Sequence, residues 1–146
     1  MFALILKDAR TLTLAVIGLA IGFVPSAASP QVSSQGVPKQ VDLVVEGNRL
    51  VASNVRLSRF DEHRLNAQER IADTQVGNAV IVVVTNQNII AYGVVSGWRS
   101  VSRIPNERID RVSAEDFGAL VVTSQRMLNF NGESGTWGER KRRAGQ

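Results

Sequence analysis

The most hydrophobic part of the chain outside its N-terminus is Asn78–Val95, and its pattern is that of a β-hairpin. Residues Ala79–Thr85 are almost all β-branched, a side-chain type that packs well on a pleated surface and is stiff in a helix. Both faces of such a strand are apolar, which is typical of a strand covered on both sides. Asn86-Gln87 is then the two-residue loop, and Ile89–Val95 is the return strand.

The same strand–loop–strand pattern occurs once upstream and once downstream. Upstream, Leu43–Glu46 is followed by Gly47-Asn48, a pair that tolerates the positive φ of a tight hairpin loop, and then by a second apolar run. Downstream, Leu120–Thr123 is followed by Ser124-Gln125 and another apolar run. The chain therefore contains three predicted hairpins.

Short motifs also recur at an interval of 38 residues, because Glu69-Arg70-Ile71 returns as Glu107-Arg108-Ile109. Repeats at such a spacing indicate a supersecondary unit that cannot bury its apolar face alone. The pattern predicts three units, with approximate bounds Val41–Val76, Gly77–Ala114 and Glu115–Arg143.

Each full unit is predicted to contain four short strands, and short connections between them imply an antiparallel meander. In the second unit the strands are Asn78–Thr85, Asn88–Val95, Trp98–Arg103 and Arg108–Val112, whereas the third unit lacks its last strand. Repeated sheets with two apolar faces are typical of β-propeller blades, but closed propellers have four or more blades. We therefore predict an all-β domain of three blade-like tandem repeats, a partial β-propeller completed by self-association. A three-fold barrel of the β-trefoil type is the alternative.

The N-terminal segment has a different composition. Lys7 and Arg10 precede a 14-residue apolar run, Thr11–Val24, and small residues follow at Ser26 and Ala28. This pattern predicts a signal peptide and export of the protein to the periplasm or the medium. An uncleaved membrane anchor formed by the apolar run is the alternative.

The resulting organisation has four segments. They are a signal peptide or N-terminal anchor (1–28), a flexible linker rich in Ser, Gln and Pro (29–40), a three-repeat β domain (41–138) and a basic C-terminal tail (139–146). The chain contains no cysteine, so an exported form must be stabilised by its core and not by disulfides.

The net charge of +4 is concentrated near the C-terminus. The tail residues Arg140, Lys141, Arg142 and Arg143 supply the surplus. Because a nucleic-acid-binding face requires a surplus on the folded body, nucleic acid is not an expected partner. The tail is predicted either to be a solvated terminus or to contact anionic lipid or an acidic partner.

Catalytic motifs are not found in the sequence. His63 is the only histidine, and its neighbours Asp61 and Glu62 alternate in direction along a strand, so the three side chains are not expected to converge on a metal ion. Glu69 and Glu107 each occur once per repeat, and we expect them to cap a turn or pair with the next unit's arginine. We therefore expect neither enzyme activity nor a cofactor.

Three aromatic residues at equivalent places are the candidate ligand-binding residues. Phe60, Trp98 and Trp137 follow the hairpins of the three units, and Arg99 and Glu139 lie close to the tryptophans. They predict either a stacking platform for sugars or rings that fill the space between units. The first function expected is thus a non-catalytic interaction or structural module of the cell envelope, whose partner is its own copy or another envelope protein. The second is a lectin-like carbohydrate-binding module.

Overall fold

The computed structural model describes residues 36–143, which contain eleven β-strands of six residues each and no helix. The strands are β1 (Val41–Glu46), β2 (Arg49–Asn54), β3 (Arg59–Arg64), β4 (Ile71–Val76), β5 (Val80–Thr85), β6 (Asn88–Gly93), β7 (Gly97–Ser102), β8 (Ile109–Ala114), β9 (Gly118–Thr123), β10 (Arg126–Asn131) and β11 (Thr136–Lys141). The predicted signal peptide, residues 29–35 of the predicted linker and residues 144–146 of the predicted tail lie outside the described residues.

The strands form three open antiparallel sheets. The first sheet is β1-β2-β3, the second is β4-β5-β6-β7, and the third is β8-β9-β10-β11. Within each sheet, strands that are consecutive in sequence are hydrogen-bonded neighbours. The predicted all-β class and the antiparallel meanders are therefore confirmed.

The hairpin loops lie where the sequence predicts them. Glu46 pairs with Arg49 across the Gly47-Asn48 loop, and Gly47 has a φ of 61°, which an L side chain rarely adopts. In the central hairpin Val84 pairs with Ile89, which leaves Asn86-Gln87 at the tip.

The second sheet lies between the other two, and its central strands β5 and β6 are buried on both faces, whereas its edge strands β4 and β7 are exposed or half-buried. Every residue from Val80 to Thr85 has 0% exposure. The face that carries Ile81 and Val83 packs against the first sheet, and the face that carries Val82 and Val84 packs against the third. Full burial of an aliphatic side chain of this size contributes about 1.5–3 kcal/mol, so these two layers are the main source of stability.

The predicted assignment of the fourth strand is wrong. The segment Arg108–Val112, predicted to complete the second unit, lies in β8 from Ile109 onwards, and β8 pairs with β9 and opens the third sheet. Likewise β4 pairs with β5 and not with the first sheet. The first sheet therefore has three strands and the third has four, whereas the sequence pattern predicted that the third unit would lack a strand. The physical reason is loop closure, because a short turn joins β8 to β9 whereas the longer connector 103–108 separates β7 from β8.

Candidate interaction surface

Trp98, in β7, is held between the first two sheets. Its indole N–H donates a hydrogen bond of 3.0 Å to the backbone oxygen of Asp61 in β3. Its ring lies 5.0 Å from that of Tyr92 and 5.7 Å from that of His63, measured between centroids. The side chain is half-buried, with its polar atom already bonded, and it joins two sheets.

Trp137 and Phe60 lie in different surroundings from Trp98. Trp137, in β11, is half-buried against Phe130, with the ring centroids 4.9 Å apart. Phe60 is the second residue of β3, as the tryptophans are of β7 and β11, but it is 72% exposed. It lies on the face of the first sheet that points away from the second, where no described residue packs over it.

The two residues beside the tryptophans do not join them in one site. Arg99 is exposed, and its Nη1 donates to the backbone oxygen of Trp98 at 2.8 Å. Glu139 accepts a hydrogen bond of 3.0 Å from Nη1 of Arg126. The five predicted ligand-binding residues are therefore spread over three sheets and do not line a common pocket.

A buried polar cluster between the first two sheets was not predicted. Asn54 Nδ2 donates to Tyr92 Oη at 2.6 Å and to the backbone oxygen of Val94 at 2.8 Å. The Tyr92 hydroxyl donates to Asp61 Oδ2 at 2.5 Å. Burial and the bond to Asp61 raise the pKa of Tyr92 to about 12. The only signal in the sequence is an asparagine at the end of an apolar strand, which is too common to identify a network.

Glu69 and Glu107 cap turns, which confirms the structural role predicted for them. Oε2 of Glu69 accepts the backbone N–H of Asn66 at 3.1 Å, and Oε2 of Glu107 accepts that of Ile104 at 2.9 Å. Each Oε1 accepts a threonine hydroxyl, at 2.6 Å for Glu69 and 2.9 Å for Glu107. Burial acts to raise both pKa values, but hydrogen bonds outweigh it, and each pKa is lowered. For Glu107 the bond from Arg126 contributes most to the lowering, and for Glu69 bonds from Thr85 and Asn88 do.

Arg126, the first residue of β10, connects the third sheet to the second. Its Nε donates to Glu107 Oε1 at 2.7 Å, and its Nη2 donates to the backbone oxygen of Ser102 at 2.7 Å. Ser102 is the last residue of β7 in the second sheet. The hydrogen bond to Glu107 raises the pKa of Arg126, so the guanidinium stays charged although the side chain is only 6% exposed.

His63 lies on the inward face of β3, as does Asp61, whereas Glu62 lies on the outward face. The alternation follows from the register, in which Glu62 pairs with Val51 and His63 with Leu50. Among residues 36–143 no three His, Asp or Glu side chains are grouped to hold a metal ion. Burial lowers the pKa of His63, an effect that the charge of Glu69 partly opposes.

The basic residues near the C-terminus are partly tied to the third sheet. Arg140 and Lys141 belong to β11, so the strand continues into the segment predicted as a tail. Arg142 Nη1 donates to Asp110 Oδ2 at 2.5 Å and to the backbone oxygen of Thr123 at 2.7 Å. With Met127, residues 140–143 line an open depression of about 660 Å³.

The first and third sheets each have one face that no other described sheet covers. We call the uncovered face of the first sheet the leading face; its outward positions include Asp42, Val44, Arg49, Val51, Phe60 and Glu62. We call the uncovered face of the third sheet the trailing face; its outward positions include Arg111, Leu120, Val122, Met127, Asn129 and Arg140. Both faces mix apolar and charged side chains, and they form the candidate interaction surface.

Comparisons with known proteins identify no family. No family model matches the chain, and no curated protein matches it. A chain from an S. cerevisiae complex of a Dbp5 variant bound to Nup159, a Gle1 variant, IP6 and ADP is similar over 73% of this chain, with a TM-score of 0.37 and 8% identity. The match covers 34% of that chain, so this chain spans about a third of its length. A likeness this weak bears on neither fold nor function.

Within residues 36–143, no helix has the length and hydropathy needed to cross a bilayer.

Proposed function

We propose that this chain is a non-catalytic, propeller-like β-repeat module, exported from the cytoplasm, that binds another protein surface through its leading and trailing faces. The key observation is the contrast between the sheets. The central strands of the second sheet, β5 and β6, are covered on both faces by the chain itself, whereas the first and third sheets each keep one face uncovered among the described residues. On the leading face, Phe60 is 72% and Val44 is 48% exposed. Protein interfaces are enriched in such exposed aromatic side chains.

Contacts that recur between sheets support the repeat organisation. Thr85 bonds to Glu69 in the second sheet as Thr123 bonds to Glu107 in the third. The strands that follow the two glutamates, β4 and β8, also carry a register shift at the same place, two residues after each strand begins. Because bulges are specific features of a strand pair, a common place for both favours one structural unit used more than once.

The proposed location rests on the N-terminal sequence. Residues 1–28 have the charged start, apolar run and small terminal residues of an export signal. N-terminal sequencing of protein recovered from the envelope tests this. A chain that begins at Ser29 supports cleavage, and a chain that begins at Met1 in the membrane fraction supports the anchor. Recovery from the cytoplasm alone would refute export.

The aromatic residues favour protein binding over the sugar-binding alternative. Sugars stack on open ring faces, but Trp98 and Trp137 are half-buried between or beside sheets, and the indole N–H of Trp98 is already bonded. Of the three candidate aromatic residues, only Phe60 presents an open ring. A single exposed ring on a face that mixes apolar and charged side chains is better matched to a protein partner.

Photocrosslinking in cells tests the proposed function. The photoreactive residue p-benzoyl-phenylalanine would replace Phe60 on the leading face and Met127 on the trailing face. The matched control is Leu57, which is 47% exposed in the β2–β3 loop and lies on neither face. We expect protein adducts from both faces and none from the control. No adduct from either face, or the same adducts from all three positions, would refute binding through these faces.

A further inference from the structure

We infer that the protein surface bound by the two faces is a second copy of this chain, placed head to tail, so that the trailing face of each copy packs on the leading face of the other. This deepens the proposed function and rests on it. The two copies together supply six sheets, since each supplies three. Six lies within the four to eight blades typical of closed β-propellers.

The trailing face corresponds to a face that is already covered inside the chain. Val82 and Val84 of β5 face the third sheet. Leu120 and Val122 are the third and fifth residues of β9, as Val82 and Val84 are of β5. The trailing face is therefore the third sheet's counterpart of the surface that the second sheet presents to its successor.

The leading face corresponds to the opposite surface. Ile81 and Val83 of β5 face the first sheet. Ile81 and Val83 are the second and fourth residues of β5. The second and fourth residues of β1 are Asp42 and Val44, which lie on the leading face. A trailing face that meets a leading face thus repeats the junction that the chain makes between its own sheets. Two leading faces in contact would not repeat it.

The charges of the two faces set a weaker preference. The outward strand positions of the trailing face include Arg111 and Arg140 and no carboxylate, although Glu115 and Asp116 lie at its edge beside Arg111. The outward positions of the leading face carry three carboxylates and two arginines: Asp42, Glu46, Glu62, Arg49 and Arg64. Arg49 is already paired with two of these carboxylates, at 3.3 Å and 3.5 Å, and Asp42 is paired with Lys39. The leading face is therefore close to neutral, and charge disfavours only a trailing–trailing contact, in which like-charged arginines would meet.

Arg49 provides the most specific feature of the inferred junction. It is the first residue of β2, as Arg126 is of β10, and Arg126 bonds to the backbone oxygen at the end of β7 in the preceding sheet. The Arg49 side chain is 48% exposed and has no preceding sheet among the described residues. In the inferred pair, Arg49 donates to the backbone oxygen of Lys141, the end of β11 in the second copy.

The size of the faces favours a closed pair over a single contact. Three strands of six residues cover roughly 300 Å² of face, given a strand spacing of about 4.8 Å and a rise of about 3.3 Å. One junction of that size falls short of the roughly 800 Å² per partner found in stable interfaces. Two copies in a ring form the junction twice, so each copy covers roughly 600 Å², nearer to that value than one junction gives. A head-to-tail contact also leaves no face unpaired once the ring closes.

Light scattering after size exclusion tests the inference on the purified chain. We expect wild-type protein to have twice the chain mass. Val44→Glu on the leading face and Met127→Lys on the trailing face should each raise the dissociation constant at least about 100-fold, because each places a charge in a buried junction. Leu57→Glu, an equally exposed apolar position on neither face, should leave the mass unchanged. Circular dichroism confirms that each variant is folded.

Mixing the two face variants tests the head-to-tail arrangement. Each variant alone should be monomeric, but an equal mixture should form pairs, because one junction is then intact and the other opposes a glutamate to a lysine. Arg49→Gln should weaken the pair about tenfold without loss of folding, and Arg49→Lys should restore part of it. A mixture that stays monomeric overturns the head-to-tail arrangement.

Other outcomes overturn the second copy as partner. They are a wild-type monomer at all concentrations, an assembly larger than two copies, or a pair that neither face variant weakens. If the wild type is monomeric while Phe60 still crosslinks to a different protein, the inference fails and the proposed function stands. If no face crosslinks to any protein, both fail.

Discussion

Glu107→Gln should destabilise the protein more than Glu69→Gln, although the two carboxylates occupy the same place in successive sheets. The expected difference in stability comes from the side chain to which each glutamate is hydrogen-bonded. Asn88, a neutral donor, bonds to Glu69 at 2.8 Å, whereas Arg126 bonds to Glu107 at 2.7 Å. The side chains of the charged pair are 0% and 6% exposed, so water cannot replace the carboxylate if it is removed.

The magnitudes follow from this geometry. Removal of one partner of a buried ion pair costs about 3–5 kcal/mol, because the other charge stays buried. Since Arg126 keeps Glu139 at 3.0 Å, we expect Glu107→Gln to cost about 3 kcal/mol, at the lower end of that range. Glu69→Gln keeps one acceptor oxygen for the neutral donors Thr85 and Asn88 and loses the one that accepts from Asn66, and it leaves no unpaired charge, so it should cost about 1 kcal/mol.

Urea unfolding followed by tryptophan fluorescence measures both values under the same conditions. The control is Arg126→Asn, which places the second sheet's residue opposite Glu107. In the double variant with Glu107→Gln, no buried charge remains, and the free energy of unfolding should recover by at least about 1 kcal/mol relative to Glu107→Gln alone. Equal losses at the two glutamates, or no recovery in the double variant, would show that the buried charge does not set the difference.

Three further predictions concern the same interior. The free energy of unfolding should fall as the pH drops below about 4.5, because hydrogen bonds hold the pKa of Glu69 and Glu107 below its usual value of 4.5 despite burial, and the ionised forms stabilise the fold. His63, whose pKa burial lowers, adds a separate loss of stability that begins below pH 6.5; an acid titration in which stability does not fall between pH 4.5 and pH 3 contradicts the prediction for the glutamates. Tyr92→Phe should cost about 1–3 kcal/mol, since Asn54 loses a buried partner, and thermal unfolding with no shift would contradict it. Gly93→Ala should cost about 1–3 kcal/mol or more, because the added methyl collides with backbone in the β10–β11 turn; unchanged urea unfolding would show that the turn yields freely.

The hairpins and the buried centre could be predicted because side-chain type determines them locally. The β-branched residues of Ala79–Thr85 favour a strand, and their lack of alternation indicates cover on both sides. The capping role of Glu69 and Glu107 could also be inferred, because a residue that recurs once per unit is expected to serve each unit in the same way.

The strand partners and the site could not be predicted in the same way. The side-chain pattern of Ile109–Ala114 is compatible with pairing to either the preceding or the following strand. Loop lengths and bulges determine which of the two it pairs with. Phe60 has the strand position of Trp98 and Trp137 but not their surroundings, because exposure depends on which sheets are neighbours. The Asn54–Tyr92 bond joins residues 38 positions apart in sequence, and neither residue type is distinctive by itself.

Because β5 and β6 are packed between two other sheets, a fragment of this domain that lacks either of those sheets is not expected to fold stably. A fragment that ends after β7 would expose the face that carries Val82 and Val84 to water. A fragment that begins at β4 would expose the face that carries Ile81 and Val83. Flat valine-rich strands exposed in this way are prone to aggregate. Opening of the central amides to hydrogen exchange consequently requires all three layers to come apart, so the slowest-exchanging protons report the global unfolding of the domain.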